Sequence, residues 1–162
     1  MSGFGRKNYT VAEATARLER YCAYQDRCHL EVRNKLREMR MIPEAADTIL
    51  VHLIQGDFLN EERFALNYTR GKHRQKSWGP IRISRELQAR EISGYLIQKA
   101  LTGIPEADWD RCFDQLAQKR WAALEGKPVL ERKRKFHDYL LYRGWEADRI
   151  FGFLRKVRIA ER

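Results

Sequence analysis

Leu36, Leu87 and Leu140 recur about every 50 residues along this chain, each four positions after another large apolar residue: Val32, Ile83 and Phe136. A few positions further on, Met41 or Ile42, Ile92 and Trp145 mark the same point in each round. Self-similarity at that period restricts the chain to tandem copies of one supersecondary unit. A unit of this size is too small for a full core of its own and must bury apolar surface against a neighbour. Within each round apolar residues follow at spacings of three and four, and alternating apolar and polar runs are scarce. The predicted fold is all-α, an elongated array of three tandem three-helix repeats, with units at 1–56, 57–104 and 105–162.

Helix punctuation places the elements. Thr10-Val11-Ala12-Glu13 has the form of a capping box, followed by the stripe Val11, Ala14, Leu18 and Tyr21. Asp26 is the expected cap of a second helix with Val32, Leu36 and Met39 inward, and Pro43 opens a third carrying Ala46, Ile49, Leu50 and Leu53, which Gly56 ends. In the next round Asn60 caps a helix with Phe64, Ala65 and Tyr68 inward, Pro80 opens one with Ile83 and Leu87, and Ser93 caps one with Ile97, Ala100 and Leu101. In the last, Pro105 opens a helix with Trp109, Cys112, Phe113, Leu116 and Leu124. After Gly126 and Pro128 comes one with Val129, Phe136 and Leu140, and after Gly144 one with Ile150, Phe153, Leu154 and Val157.

Charge points to the partner. The chain carries 32 Lys and Arg against 22 Asp and Glu, a formal surplus of +10. Between residues 70 and 90, Arg70, Lys72, Arg74, Lys76, Arg82, Arg85 and Arg90 face a single carboxylate, Glu86. Such density suits a polyanion, with nucleic acid or an assembly containing it as the natural ligand; an acidic protein or a membrane surface would also satisfy charge alone. On a helix over 60–76, Arg63, Asn67, Arg70 and Arg74 cluster opposite Phe64, Ala65 and Tyr68, so an arginine stripe faces outward, with Leu66 at its edge as an exposed apolar contact. The alternative is a solvated helix back. Lys72 and Lys76 flank the apolar side, and Arg82 and Arg85 extend the positive field. Trp78 either stacks on a base or partner side chain or pins the turn before Gly79-Pro80. A second cluster follows Glu131: Arg134 and Lys135 point away from the core, Lys133 lies near its edge, and Asp138 partly neutralises Arg134. Arg155, Lys156, Arg158 and Arg162 make a basic C-terminus that also suits the negative end of the last helix.

Seven Phe, seven Tyr and four Trp supply enough apolar surface for a folded core and argue against disorder. No stretch approaches the ~20 apolar residues of a membrane span, and MSGFGRKNYT lacks the apolar core of a signal peptide, so a cytoplasmic protein is expected. Cys22, Cys28 and Cys112 match no common metal framework and read as reduced structural thiols. His29, His52, His73 and His137 are scattered, and no phosphate loop, metal-spaced His and carboxylate pair or nucleophile elbow occurs. A non-enzyme without cofactor or metal is expected.

Over Gly56-Asp57-Phe58-Leu59-Asn60-Glu61-Glu62-Arg63-Phe64-Ala65, then Trp78-Gly79-Pro80-Ile81-Arg82-Ile83 and Glu86-Leu87, the chain resembles the RecX family of bacterial recombination regulators. Arg27-Cys28-His29 with Glu31-Val32-Arg33-Asn34-Lys35-Leu36 is similar to the family's first-repeat motif, and Tyr95-Leu96-Ile97-Gln98-Lys99-Ala100-Leu101 to the end of its second. The likeness is strongest over residues 27–101 and weak after 105. It implies three tandem three-helix repeats that bind the RecA recombinase filament on single-stranded DNA; a monomer is expected. Such proteins lie along the filament groove and restrain ATP hydrolysis, strand exchange and coprotease action, with DNA met through the filament or by weak direct binding. The residues expected to meet the filament are Arg63, Arg70, Lys72, Arg74, Lys76, Arg82, Arg85, Arg134 and Lys135. A helical DNA-binding module acting without RecA is the competing reading, since short three-helix units can place a helix in the major groove.

Overall fold

The computed structural model describes residues 7–161, and among them nine α-helices and no strand are found. Arg162, counted above with the basic C-terminus, lies outside the described residues. The helices are α1 (Val11–Tyr24), α2 (His29–Glu38), α3 (Pro43–Gln55), α4 (Glu61–Lys76), α5 (Pro80–Ala89), α6 (Gly94–Thr102), α7 (Glu106–Ala123), α8 (Val129–Tyr142) and α9 (Ala147–Ala160). The helix pairs that pack most closely all fall within one triplet: α1 with α3, α4 with α6, α8 with α9. Among the described residues no hydrogen bond or ion pair joins the first triplet to the third, so the units follow one another as an elongated array.

Most helix starts are set by local chemistry. Thr10 Oγ1 accepts from the Glu13 amide at 3.1 Å while the Thr10 amide donates back to Glu13 Oε2 at 3.2 Å, a complete capping box. Asn60 Oδ1 accepts from the Arg63 amide and Ser93 Oγ from the Leu96 amide. Pro43 and Pro80 each occupy the first helical residue. Three expectations need correction. Asp26 does not cap α2: the cap residue is Cys28, whose amide donates to Glu31 Oε2, and the Asp26 carboxylate is occupied elsewhere. Val11 and Val129 are exposed rather than inward. Side chains tilt toward the helix N-terminus, so those of the first residues in α1 and α8 project beyond the helix end.

The threefold repeat is written into the backbone. After the second helix of every triplet the chain makes the same reversal: Met41 N–H donates to Leu36 C=O, Ile92 to Leu87 and Trp145 to Leu140, each at 3.1 Å. The residue before each donor is left-handed, Arg40 and Glu91 at φ 58° and Gly144 at φ 91°. Leu36, Leu87 and Leu140 are buried, as are Val32, Ile83 and Phe136 one turn earlier. Met41, not Ile42, therefore holds the position of Ile92 and Trp145.

Two cores result. One joins α1, α2 and α3 through Ala14, Leu18, Val32, Leu36, Ile49 and Leu53, and also takes Leu59 from just beyond residue 57. The other runs without a break through the second and third triplets, from Phe64 and Ile83 to Trp109, Phe113, Trp145 and Ile150, and receives Cys28 from the first. The second and third triplets are further locked by main chain. Gly79 N–H donates to Arg143 C=O at 2.8 Å, Ile81 N–H to Gly144 C=O at 3.1 Å, and Trp145 Nε1 to Ser77 C=O at 3.1 Å. This approach requires glycine on both sides: a Cβ on Gly79 would overlap the Gly144 carbonyl, and one on Gly144 would overlap Arg82 while holding φ at +91°.

Gly144→Ala should therefore lower unfolding free energy by about 2–4 kcal/mol. In Gly71→Ala, where the added methyl meets open space in the interior of α4, stability should rise by about 0.5–1 kcal/mol. Urea unfolding of the two variants tests the pair, and equal effects would contradict the packing described.

Candidate functional site

The site is built on α4. Asn60 fixes its start, Phe64 and Ala65 are buried against the second core, and Thr69 and His73 continue the inward face. One turn apart on the opposite face, Arg70 and Arg74 are exposed and make no ion pair among the described residues. The helix therefore does two jobs, with one flank packed and the other presenting guanidinium groups to solvent.

Arg63, expected on the same stripe, turns inward to the first triplet. Its Nε donates to Asp26 Oδ1 at 3.0 Å and its NH1 lies 3.2 Å from Asp57 Oδ2, while Asn67 Nδ2 donates to the other Asp26 oxygen at 2.6 Å. Burial opposes the charge on Arg63, but the hydrogen bonds and charges of Asp26 and Asp57 outweigh it and raise its pKa above the ordinary arginine value. Arg33 pairs with Glu91 at 2.9 Å and the His29 amide donates to Glu61, so the joint between the first two triplets is polar.

Lys72 and Arg82 belong to an alternating ladder of cations and rings. Arg90 lies over Tyr68, Lys72 between Tyr68 and Trp78, and Arg82 4.0 Å from the Trp78 centroid and 4.6 Å from that of Tyr142. Arg82 also donates to the Tyr142 carbonyl, so it clamps the second triplet to the third instead of extending an outward field. Trp78 is half-buried in this ladder, which favours its role in fixing the turn. Leu66, expected to be exposed, is half-buried near Gly103.

Lys76, Arg85 and Arg134 are exposed and without an ion pair among the described residues. Lys135 pairs with Glu131 at 3.1 Å, an exposed one-turn pair of small energetic weight. Asp138 contacts His137 and not Arg134. The structure thus gathers Arg70, Arg74 and Lys76 on one helix with Arg85 on the next, and sets Arg134 apart on α8. Charge counting missed Arg111 and Lys119 of α7, which share a groove with Arg74, because only the packing of α4 on α7 brings them together.

His73 is the one buried histidine among those described. Its ring meets Trp109 edge-to-face at 4.5 Å, and its Nδ1 has no hydrogen-bond partner. Burial depresses its pKa from the ordinary value near 6.5; Asp108 opposes this and Arg74 adds to it. Burial raises the thiol pKa of Cys22, Cys28 and Cys112, which disfavours the reactive thiolate. Among the described residues no group of His, Cys, Asp and Glu is placed to hold a metal, and no helix is long and apolar enough to cross a membrane.

These features define a tandem three-helix array with a cationic face borne on its rigid second and third units. The description "RecX, second three-helix domain" fits residues 60–101, the stretch from the Asn60 cap to the end of α6. The chain is 31% identical over 130 residues to the regulatory protein RecX of Pseudomonas savastanoi pv. phaseolicola, covering 79% of this chain and 81% of that one. The chain belongs to the RecX family of regulatory proteins. It is 26% identical over 152 residues to the regulatory protein RecX of Bacillus cytotoxicus, and spans 56% of that protein's length. The crystal structure of RecX from Lactobacillus salivarius shares the fold, with a TM-score of 0.79 at 22% identity over 92% of this chain and 97% of that one.

Two measurements check the site's framework. In a double-mutant cycle of Asp26→Ala and Arg63→Ala, a coupling of about 0.5–1 kcal/mol is expected, and zero coupling would remove the ion pair from the joint. For His73, the unfolded chain takes up its proton near pH 6.5 and the folded chain only below that. Its contribution to stability is therefore complete above the unfolded value and lost as pH falls through the depressed folded one. His73→Phe should flatten the decline in stability as pH falls below about 6.5, and an unchanged slope would place the titration elsewhere.

Proposed function

We propose that this chain is a non-catalytic, cytoplasmic, monomeric regulator that binds the DNA-bound filament of the RecA recombinase and restrains its recombination, ATPase and coprotease activities. Three repeats, 1–56, 57–104 and 105–162, engage the filament along its length, and many weak polar contacts add across a semi-rigid body. The observation that carries this reading is the pair Arg70 and Arg74, held on a rigid helix without carboxylate partners among the described residues, inside the stretch that the family description matches. Their planar forks suit phosphate and carboxylate alike, so a surface made of protein and DNA together is a fitting partner. Lys76, Arg85 and Arg134 supply further contacts, Arg134 from a separate place on α8. Arg63, Lys72, Arg82 and Lys135 act mainly within the fold.

Inhibition needs no chemistry from this chain. A ligand that binds one filament conformation more tightly than the active one draws the population toward it by that difference in affinity. The relatives' common name, regulatory protein, supports a regulator over an enzyme.

Arg70→Glu combined with Arg74→Glu should leave folding intact and weaken inhibition of single-stranded-DNA-dependent ATP hydrolysis by the cognate RecA at least about tenfold in apparent affinity. Unchanged turnover at saturating wild-type protein would remove the proposed function itself. Tight, sequence-selective DNA binding in a titration without filament would favour the module acting without RecA.

A further inference from the structure

On α7, Arg111, Gln115 and Lys119 follow at four-residue spacing and stand in one column; on α4, Arg70 and Arg74 do the same. An open groove of about 580 Å³ lies between the helices, with Arg74 on one wall and Arg111, Gln115 and Lys119 on the other. It runs into a smaller recess of about 210 Å³ that Arg70 and Arg74 line together with Pro105 and Asp108 at the start of α7. His73 lines both. Its ring is buried and held edge-on to Trp109, and its Nδ1 is without a partner, as is Thr69 Oγ1 one turn earlier. Buried polar atoms of this kind are uncommon in folded proteins, and that of His73 lies where α4 meets α7.

The charge balance is lopsided. Asp108 is the sole carboxylate lining the groove and recess, and it already accepts from Arg111 at 2.9 Å. That pair is one turn long and exposed, so it contributes little and leaves Arg111 able to turn to another anion. Arg70, Arg74 and Lys119 have no ion pair among the described residues. Cations brought onto facing walls repel one another, and an anion between them relieves that repulsion while using the guanidinium forks in two-pronged contacts. A carboxylate offers two oxygens and one charge; a phosphate offers at least as many free oxygens and, as a monoester, up to nearly twice the charge.

We propose that the groove between α4 and α7 is a phosphate-binding site, held by Arg74, Arg111 and Lys119, with Arg70 at its inner end and His73 as its floor. The phosphate is either the terminal group of a nucleotide or the diester of a single strand. Arg70 and Arg74 are shared with the face assigned to the filament, but Arg111, Lys119 and His73 are not, so each reading can fail without the other.

Thermal unfolding of the full chain is followed against inorganic phosphate, with chloride at matched ionic strength as reference. Phosphate should raise Tm progressively above the chloride curve, as expected for a ligand of the folded state. Lys119→Glu and Arg111→Gln should each weaken the apparent phosphate affinity about tenfold or more, whereas Arg134→Glu, a reversal away from the groove, should not. Lys119→Gln gives the same answer without adding an acid. In the wild type the His73 ring proton resonance should move with phosphate and not with chloride. A nucleoside triphosphate and a short oligothymidylate are then titrated: tighter binding of either identifies the source, and equal affinity of all three supports recognition of phosphate alone. Coincident phosphate and chloride curves would overturn the site, as would an Arg134→Glu effect as large as that of Lys119→Glu.

Discussion

The meeting of Gly79 with Gly144 governs the rest of this molecule. Two glycines let the backbone of the α4–α5 turn lie directly against that of the α8–α9 turn, and the contact is secured by amide-to-carbonyl hydrogen bonds that no side-chain rearrangement can replace. Trp145 follows immediately. It sends its indole N–H to Ser77 and packs edge-on against Trp109 and Phe113. Main chain and aromatic core therefore fix the second and third triplets as one body, and the relation of α4 to α7 is a consequence. Both the arginine flank of α4 and the groove beside it inherit their geometry from that lock.

The first triplet is joined on different terms. Its core is separate, apart from Cys28 and Leu30 reaching one way and Phe58 and Leu59 the other, and among the described residues the polar part of the joint is Asp26 shared between Arg63 and Asn67, Arg33 on Glu91 and His29 on Glu61. Partly exposed ion pairs are individually weak and screened by salt, whereas buried main-chain bonds and aromatic packing are not. The array thus couples a firm pair of units to a third held by softer contacts. A body of this kind can follow a helical surface without losing the geometry of its cationic face.

Residues whose partners are near in sequence were legible, and those with distant partners were not. Thr10 with Glu13, Asn60, Ser93, Pro43 and Pro80 all act within their own first turn, and the period from Leu36 to Leu87 to Leu140 carried the repeat. The helical spacing of Arg70 and Arg74 opposite Phe64 was enough to turn them outward. Asp26 misled because a carboxylate a few residues ahead of a helix looks like a cap, yet Arg63, 37 residues on, claims it. Arg82 shows the same limit: its spacing from Ile83 and Leu87 turns it away from its own helix's core, but nothing local reveals that Tyr142, 60 residues away, supplies the other face of its clamp. Arg40 and Glu91 hide the left-handed reversals because the expected glycine occurs only at Gly144.

Net charge is therefore a poor measure of what this surface offers. Of the nine cations read as a binding set, Arg63, Lys72, Arg82 and Lys135 are each engaged by a carboxylate or a ring of the chain itself. The surplus of +10 does not predict which. All nine stand on helices of the locked pair; what distinguishes Arg70, Arg74, Lys76, Arg85 and Arg134 is that they make no ion pair and no ring contact among the described residues. A charge held by its own fold must break those contacts before it can meet a ligand, while one on a fixed helix without such contacts loses little but side-chain freedom. By that criterion the recognition we propose centres on Arg70 and Arg74, presented by a frame to which Arg63, Lys72 and Arg82 contribute.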